Sequence, residues 1–311
     1  FAFLLYRIGP ATVLANLQLV GFGIVPIVGQ ELISFCANTL GWWSAFTPPR
    51  PPIRFRQLLA ARMAGDAVNY VTPTATIGGE FVRTRFLRGH ATATELVASV
   101  TVAKLAQTIG QIVFIVAGLT FIVGETPLPP TVRHGLLSAL AGFVLVTAIF
   151  FIMQRRGLFV TVLHLLQRFG IAHEPEWAER LTRLDAEIAR FHGRDSGPLL
   201  QSIACFFVGW CMGAVEIYLI LFFLDVPATI QRAVTIEVLS ATIDGILFFV
   251  PAKAGTQEGG KVLIFTLLGL DPAKGLALAL LRRIRELTWA AVGLLIWSRR
   301  QIAVPVTVSL K

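Results

Sequence analysis

Residues 72–85 read TPTATIGGEFVRTR. The apolar run before them, beginning near residue 57, is too short for a bilayer crossing, which takes about 20 helical residues. It nevertheless stops at a proline, two glycines and a glutamate, with no polar domain to follow. Unwound backbone at membrane depth is tolerated only where protein or an enclosed aqueous cavity satisfies its polar groups. The stretch therefore predicts a helix that enters the membrane, breaks, and returns on the side it came from.

A second stretch repeats the pattern. Residues 66–80 are DAVNYVTPTATIGGE and residues 244–258 are DGILFFVPAKAGTQE, each an acid, six residues, a proline, six residues and an acid. With 18 acidic residues and 16 prolines among 311, chance supplies roughly 0.05 such matches in a chain of this length. Two copies at an offset of 178 argue for an internal repeat. The likeness runs on past the glutamates, with Gly89 near Gly269 and Lys104 opposite Arg282 or Arg283, each cation followed by an apolar helix.

Composition sets the class. Hydrophobic residues make up 55% of the chain, charged residues 14%, and the mean hydropathy is +0.72, which points to an all-α polytopic membrane protein. The net charge of +9 comes from short basic segments between apolar spans, the pattern of the positive-inside bias, and not from a nucleic-acid surface. Cys36, Cys205 and Cys211 lie in apolar runs as packing residues, and the five histidines are scattered, so neither disulfides nor a metal site is expected. No P-loop is present, which argues against direct use of ATP, and no cofactor is expected. The opening FAFLLYRIGP lacks a Met, which leaves room for an earlier span.

Residues 17–46, 94–123, 135–153 and 198–224 are long and apolar enough to cross, as is 273–298, which carries RRIRE inside it. The runs 57–72, 80–89, 229–250 and 258–270 are short and pair around the two breaks. Arg50, Arg54, Arg56, Arg83, Arg85, Arg88, Arg155, Arg156, Arg299 and Arg300 sort to one side, the cytoplasmic one, leaving Arg133, Arg232 and Lys274 opposite. That sorting holds only if both short pairs re-enter, and it turns the second copy upside down relative to the first. The predicted organisation is a membrane half at 1–153 with a re-entrant hairpin around 57–89, a cytoplasmic linker at 154–197, and a second half at 198–311 with a hairpin around 229–270. Within the linker, Trp177, Leu181, Leu184, Ile188 and Phe191 recur at helical spacing, as in an amphipathic helix lying on the inner leaflet or against neighbouring loops. Inverted repeats with broken helices near the midplane are a recurring plan of transporters.

Ionisable groups inside spans are costly and mark candidate sites. Glu80 and Glu258 sit at the breaks; Asp66 and Asp244 begin the repeats and serve either to pin the hairpins or to handle substrate. Arg83 is spaced i,i+3 from Glu80, Arg62 is i,i+4 from Asp66, and Arg282 is i,i+4 from Glu286. Lys104, Arg282, Arg283 and Arg285 lie deep in long helices, facing either a headgroup or the repeat glutamates. Glu216 and Glu237 have no evident partner in the sequence. Helix ends at the breaks offer N–H groups and a partial positive charge to an anionic group such as phosphate, and glycines at 78, 79, 255, 259 and 260 would let it approach. Gly79 and Gly255 are the principal candidates.

These residues resemble the flippase-like membrane region of lysylphosphatidylglycerol synthases, and particularly the stand-alone hopanoid-biosynthesis-associated membrane proteins. VTPTATIGGEFVRTRFL (71–87) matches the family's P…GE..R pattern through Pro73, Gly79, Glu80 and Arg83. VPAKAGTQEGG (250–260) matches P…G..E through Pro251, Gly255 and Glu258, and ALALLRRIREL (277–287) supplies an arginine at Arg282 or Arg283. No aminoacyl-transfer segment is present, so lysine transfer is not implied, and Lys253 stands where many members have glycine. The resemblance implies movement of a lipid, a hopanoid or a phospholipid, between leaflets of a bacterial inner membrane. The competing expectations are a headgroup-modifying enzyme using Glu80 or Glu258 as acid or base, and a non-transporting scaffold for lipid-synthesis enzymes.

The repeat makes a topological prediction. Single cysteines at positions 73 and 251, in a background without the native cysteines, should be shielded to similar depth and become reactive toward reagents applied from opposite faces. Reactivity of both from one face only would remove the inverted arrangement.

Overall fold

A computed structural model describes residues 6, 8–72, 77–125, 130–155, 179, 182–183, 185–186, 197–246 and 255–303. Among these residues the chain is helical, with no strand beyond an isolated bridge between Arg88 and Ala91. The first span, Pro10–Ser44, is a segmented helix: α1 (Pro10–Val20), a 3-10 turn at Gly21–Gly23, α2 (Ile24–Gly29) and α3 (Glu31–Ser44). Glycine and proline at the joints account for the segmentation. The short pair α4 (Phe55–Val71) and α5 (Ile77–Phe86) follows, then α6 (Ala93–Glu125) and α7 (Pro130–Arg155). The second half holds α8 (Gly197–Phe223), the short pair α9 (Ile230–Ile246) and α10 (Thr256–Leu267), and α11 (Pro272–Ala303). The span starting at Pro10, α6 and α8 are each long and apolar enough to cross a membrane. The protein is an all-α polytopic membrane protein.

Sequence signals at the helix ends explain the boundaries. Thr92 and Glu95 cap α6 reciprocally, the Glu95 N–H donating to Thr92 Oγ1 at 3.2 Å and the Thr92 N–H to Glu95 Oε2 at 2.8 Å. Pro272 opens α11 behind Asp271, whose Oδ1 accepts the Ala273 N–H at 2.8 Å. Gly89 and Gly269, the matched glycines of the two copies, both adopt positive φ, 88° and 67°, just beyond the ends of α5 and α10. A left-handed residue at this position ends a helix, and glycine takes it without the Cβ penalty.

Small residues bring the long helices together, as expected where lipid removes the ordinary apolar driving force. The α3–α8 seam has Gly41 against Phe206 and Gly209 against Asn38, and Ser202 Oγ donates to the Gly41 carbonyl at 2.8 Å. Gly110 of α6 lies against the α8 backbone, and Gly293 of α11 against the backbone of Met63 in α4. Gly275, at the other end of α11, packs on Phe265 of α10. The two short pairs thus pack against opposite ends of α11.

Each pair is a helical hairpin. In the first, Asn69 meets Gly79, Gly65 meets Gly79 and Arg83, and Asp66 meets Arg83, so the two helices run antiparallel. In the second, Ile243 faces Gly260, and Ile236 and Leu239 share a buried cluster with Ile264 and Phe265. One apolar cluster gathers Trp42, Leu58, Leu87, Leu96 and Phe206; another gathers Ile27, Ile217, Leu221, Phe265 and Leu278. The residues that join the arms of each hairpin, including Pro73, Pro251 and Lys253, lie outside the described residues, as do the apolar positions of the expected linker helix.

The closest packing is at the first hairpin. A Cβ on Gly79 would overlap the Gly65 carbonyl oxygen and the Asn69 side chain, whereas one on Gly259 meets nothing within 4 Å. We expect Gly79→Ala to destabilise the fold by ~1–3 kcal/mol, the range for overpacking, and to lower the thermal unfolding midpoint in detergent, with Gly259→Ala close to the parent. Equal midpoints for the two variants would contradict this packing.

Candidate functional site

The ion pairs form two groups, one at each hairpin. In the first, Asp66 on α4 pairs with Arg83 on α5 and with Arg62 one turn away on α4, at 3.5 Å. Arg83 also holds Glu80 at 2.7 Å, and Glu80 reaches Lys104 Nζ on α6 at 3.0 Å. Arg62 and Arg83 keep 5% of their side-chain surface, while Asp66 and Lys104 keep 34% and 36%. The two arginines act inside the hairpin, packed over Phe206 and Trp42 respectively. Arg83 is buried because two adjacent carboxylates, Asp66 and Glu80, offset its desolvation.

In the second group, Glu258 at the start of α10 binds Arg283 of α11 at 2.9 Å. Arg282 holds Glu216 of α8 at 2.9 Å and Glu237 of α9 at 2.5 Å. Arg285 pairs with Glu31 of α3 and, at 2.8 Å, with Glu216. Glu286 lies 3.6 Å from Arg283 and 3.8 Å from Arg285, and accepts from Gln257 Nε2 at 3.2 Å. The sequence left Glu216 and Glu237 without partners. They are the clamp on Arg282, and Glu216 is 1% exposed. The i,i+4 spacing of Arg282 and Glu286 is not used for a close pair, because Arg282 is already shared between α8 and α9.

Comparing the hairpins, the glutamate beside each break is paired with a cation 24 or 25 residues downstream on the following long helix: Glu80 with Lys104, Glu258 with Arg283. Of the two sequence alternatives opposite Lys104, geometry selects Arg283. Arg283 also donates through Nη1 to the Tyr70 hydroxyl at 3.0 Å. Tyr70 is two residues from the end of the described first arm, so one guanidinium touches residues beside both breaks. Tyr70 and Glu31 were not named in the sequence reading, and Glu286 was named there only as the i,i+4 partner of Arg282. Tyr70 shares the Asp66 face of α4 at i,i+4 spacing, the signal that could have found it.

The glycines take a different place from the one expected. The Gly79 N–H donates to Asn69 Oδ1 at 2.7 Å, and the Gly255 N–H to Glu258 Oε2 at 3.0 Å. Both donors are satisfied within the chain, where the sequence reading left them for a headgroup; unpaired N–H groups are costly at this depth, and side chains were at hand. Asp244 lies half-buried two residues from the end of α9. No cluster of three potential metal ligands occurs among the described residues. Cys36, Cys205 and Cys211 are free thiols.

Burial separates locks from accessible groups. Replacing Arg282 by Gln leaves Glu237 as a buried, unmatched carboxylate and Glu216 with Arg285 alone, which costs roughly 3–5 kcal/mol. Lys104→Gln should cost far less, because its side chain is over a third exposed. Thermal unfolding of the two purified variants checks the ranking; equal loss would show that Lys104 is also a structural lock.

A membrane protein of Methanothermobacter thermautotrophicus described as a UPF0104 membrane protein is 23% identical over 273 residues, spanning 84% of this chain and 80% of that one. No solved structure matches. The family model for the lysylphosphatidylglycerol synthase TM region matches residues 1–294, which takes in both hairpins and every ion pair of the two groups. The chain belongs to the lysylphosphatidylglycerol synthase TM region family of membrane proteins.

Proposed function

We propose that this protein is a lipid translocator that passes the headgroup of a polar or anionic lipid, a phospholipid or a hopanoid, between the leaflets of a bacterial inner membrane while the apolar part stays in the bilayer. The observation that carries the reading is the contact of Arg283 with Tyr70 and with Glu258, which ties the neighbourhoods of both helix breaks to one cation. Residues beside both breaks that meet at one cation, each on a hairpin packed at a different end of α11, suit alternating access to a single site. The family membership adds a tie to membrane lipids. We assign headgroup contact to the partly exposed members of the network, Lys104, Asp66, Glu80 and Arg283, with Glu258 positioning Arg283. Arg62, Arg83 and Arg282 hold the frame.

In this reading the headgroup competes for charges already paired with one another. An anionic group takes Lys104 from Glu80, or Arg283 from Glu258, and the released carboxylate raises the energy of the occupied site so that the lipid is not trapped. Multiple weak partners suit a carrier better than one strong one, because a ligand that binds too tightly is not released.

The test is reconstitution in liposomes with a leaflet-labelled phospholipid, or a hopanoid. The parent protein should equilibrate the leaflets, while folded Glu80→Gln and Glu258→Gln should do so at least about tenfold more slowly, a barrier change of roughly 1.4 kcal/mol. Parent rates in both variants would remove the glutamates from the mechanism. Change in lipid mass would favour a headgroup-modifying enzyme, and no change of any kind a scaffold for lipid-synthesis enzymes.

A further inference from the structure

Residues 43–65, 81–94 and 287–303 contain no aspartate or glutamate, and apart from Arg62 and Arg83 their arginines take no part in the two ion-pair groups. The fold brings the three segments together at one end of the bundle, where α4 starts and α5 and α11 finish. Phe46, Ile53, Leu58, Phe86 and Leu87 are buried there in one cluster, with Trp43 and Trp297 packed against it. Gln57 joins the parts: its Oε1 accepts the Arg54 N–H at 2.9 Å, and its Nε2 meets His90 Nε2 at 3.0 Å.

Two arginines of this rim are seated on aromatic rings. Arg300 lies over Phe86, 4.3 Å from the ring centroid, and Phe86 stacks on Trp297. Arg50 lies over Trp43 at 5.7 Å. A ring face attracts a guanidinium without using its N–H donors, which stay available to an oxyanion. Arg54, Arg85, Arg88 and Arg299 are exposed around them. Apolar surface beside the arginines indicates what carries the anion. Phe55, 39% exposed, stands between Arg54 and Arg56, and Phe81, 56% exposed, is one turn from Arg85 on α5. Aromatic rings beside cations at the ends of membrane helices sit at headgroup level, where the rings meet acyl chains. An acidic peptide arriving from water would leave those rings uncovered.

We propose that this rim is a binding site for the phosphate headgroup of an anionic phospholipid in the adjoining leaflet, with Arg50 and Arg300 as its fixed contacts. Paired N–H donors of a guanidinium match phosphate oxygens, and the exposed arginines around them add attraction. The site is distinct from the central one: Arg283 precedes Arg300 by 17 residues, about 25 Å along α11. It does not rest on the translocator reading, since a lipid can be held at the rim whether or not it crosses.

The charge bias that orients a membrane chain is served by lysine as well as by arginine, and the test uses that difference. Purified protein in detergent is titrated with dioleoylphosphatidylglycerol, dioleoylphosphatidylcholine or a glutamate-rich peptide, and bound ligand is read by native mass spectrometry. The parent should prefer phosphatidylglycerol. Arg50→Gln with Arg300→Gln should weaken that binding about thirtyfold, taking roughly 1 kcal/mol for each arginine at an anionic lipid surface. Arg50→Lys with Arg300→Lys keeps the charge but loses the stacked fork, and should weaken it about fivefold. Parent affinity in the lysine pair would reduce the rim to a diffuse field and overturn the site. If the glutamine pair does not fold, the exposed pair Arg54→Gln with Arg88→Gln must still weaken binding. Parent affinity in either glutamine pair places the lipid at the central site and overturns the rim. Equal binding of the two lipids by the parent, as closure of the rim by the 154–197 linker would produce, also overturns it. Binding of the peptide in place of phosphatidylglycerol would assign the rim to a protein partner and refute the lipid.

Discussion

A charge carried to membrane depth must be met there by another, and nearly every feature of this fold follows from that requirement. Two glutamates stand beside helix breaks, and each obliges a long helix to present a cation at a set height: α6 at Lys104, α11 at Arg283. Placing those cations fixes how far each hairpin enters against its long helix. The remaining arginines then need carboxylates of their own, which α3, α8 and α9 supply through Glu31, Glu216 and Glu237. Helices that would otherwise slide in lipid are held in register by pairs that tolerate little displacement.

Apolar packing surrounds part of this network. Arg62 and Arg83 lie over Phe206 and Trp42 of one apolar cluster, where a lower local dielectric strengthens each attraction. Small residues make this economical. Gly41, Gly209 and Gly293 let backbones approach closely enough that the charged side chains span the gaps without strain.

Much of this could be read from the residues. Helices at 55–71, 77–86, 230–246 and 256–267 lie close to the short runs expected from apolar length, on either side of the two proline breaks. Pairing of the repeat glutamates with downstream cations was also legible, as one of two alternatives, because a cation so deep in a helix has few other partners. What could not be read was partnership between elements far apart in the chain. Glu216 and Glu237 looked isolated because their arginine lies 66 and 45 residues away, and Arg285 reaches 254 residues back to Glu31. Tyr70 gave no sign of touching Arg283, since a tyrosine on an apolar run reads as packing. The role of Gly79 was misjudged for a related reason: a glycine beside a break suggests a ligand's approach, and sequence does not show that a neighbouring helix has already filled the space.

The contact of Gly65 with Gly79 has a mechanical consequence. Two backbones brought together without intervening side chains, and tied by Asn69 at one level and Asp66 with Arg83 at the next, form a strut with no slack between its arms. Any rearrangement that opens a path past the break must therefore carry the strut as a whole. A displacement of the strut would have to be absorbed outside it, where Gly293 lies against the Met63 backbone. The first hairpin would then move as a lever about a glycine on the last helix.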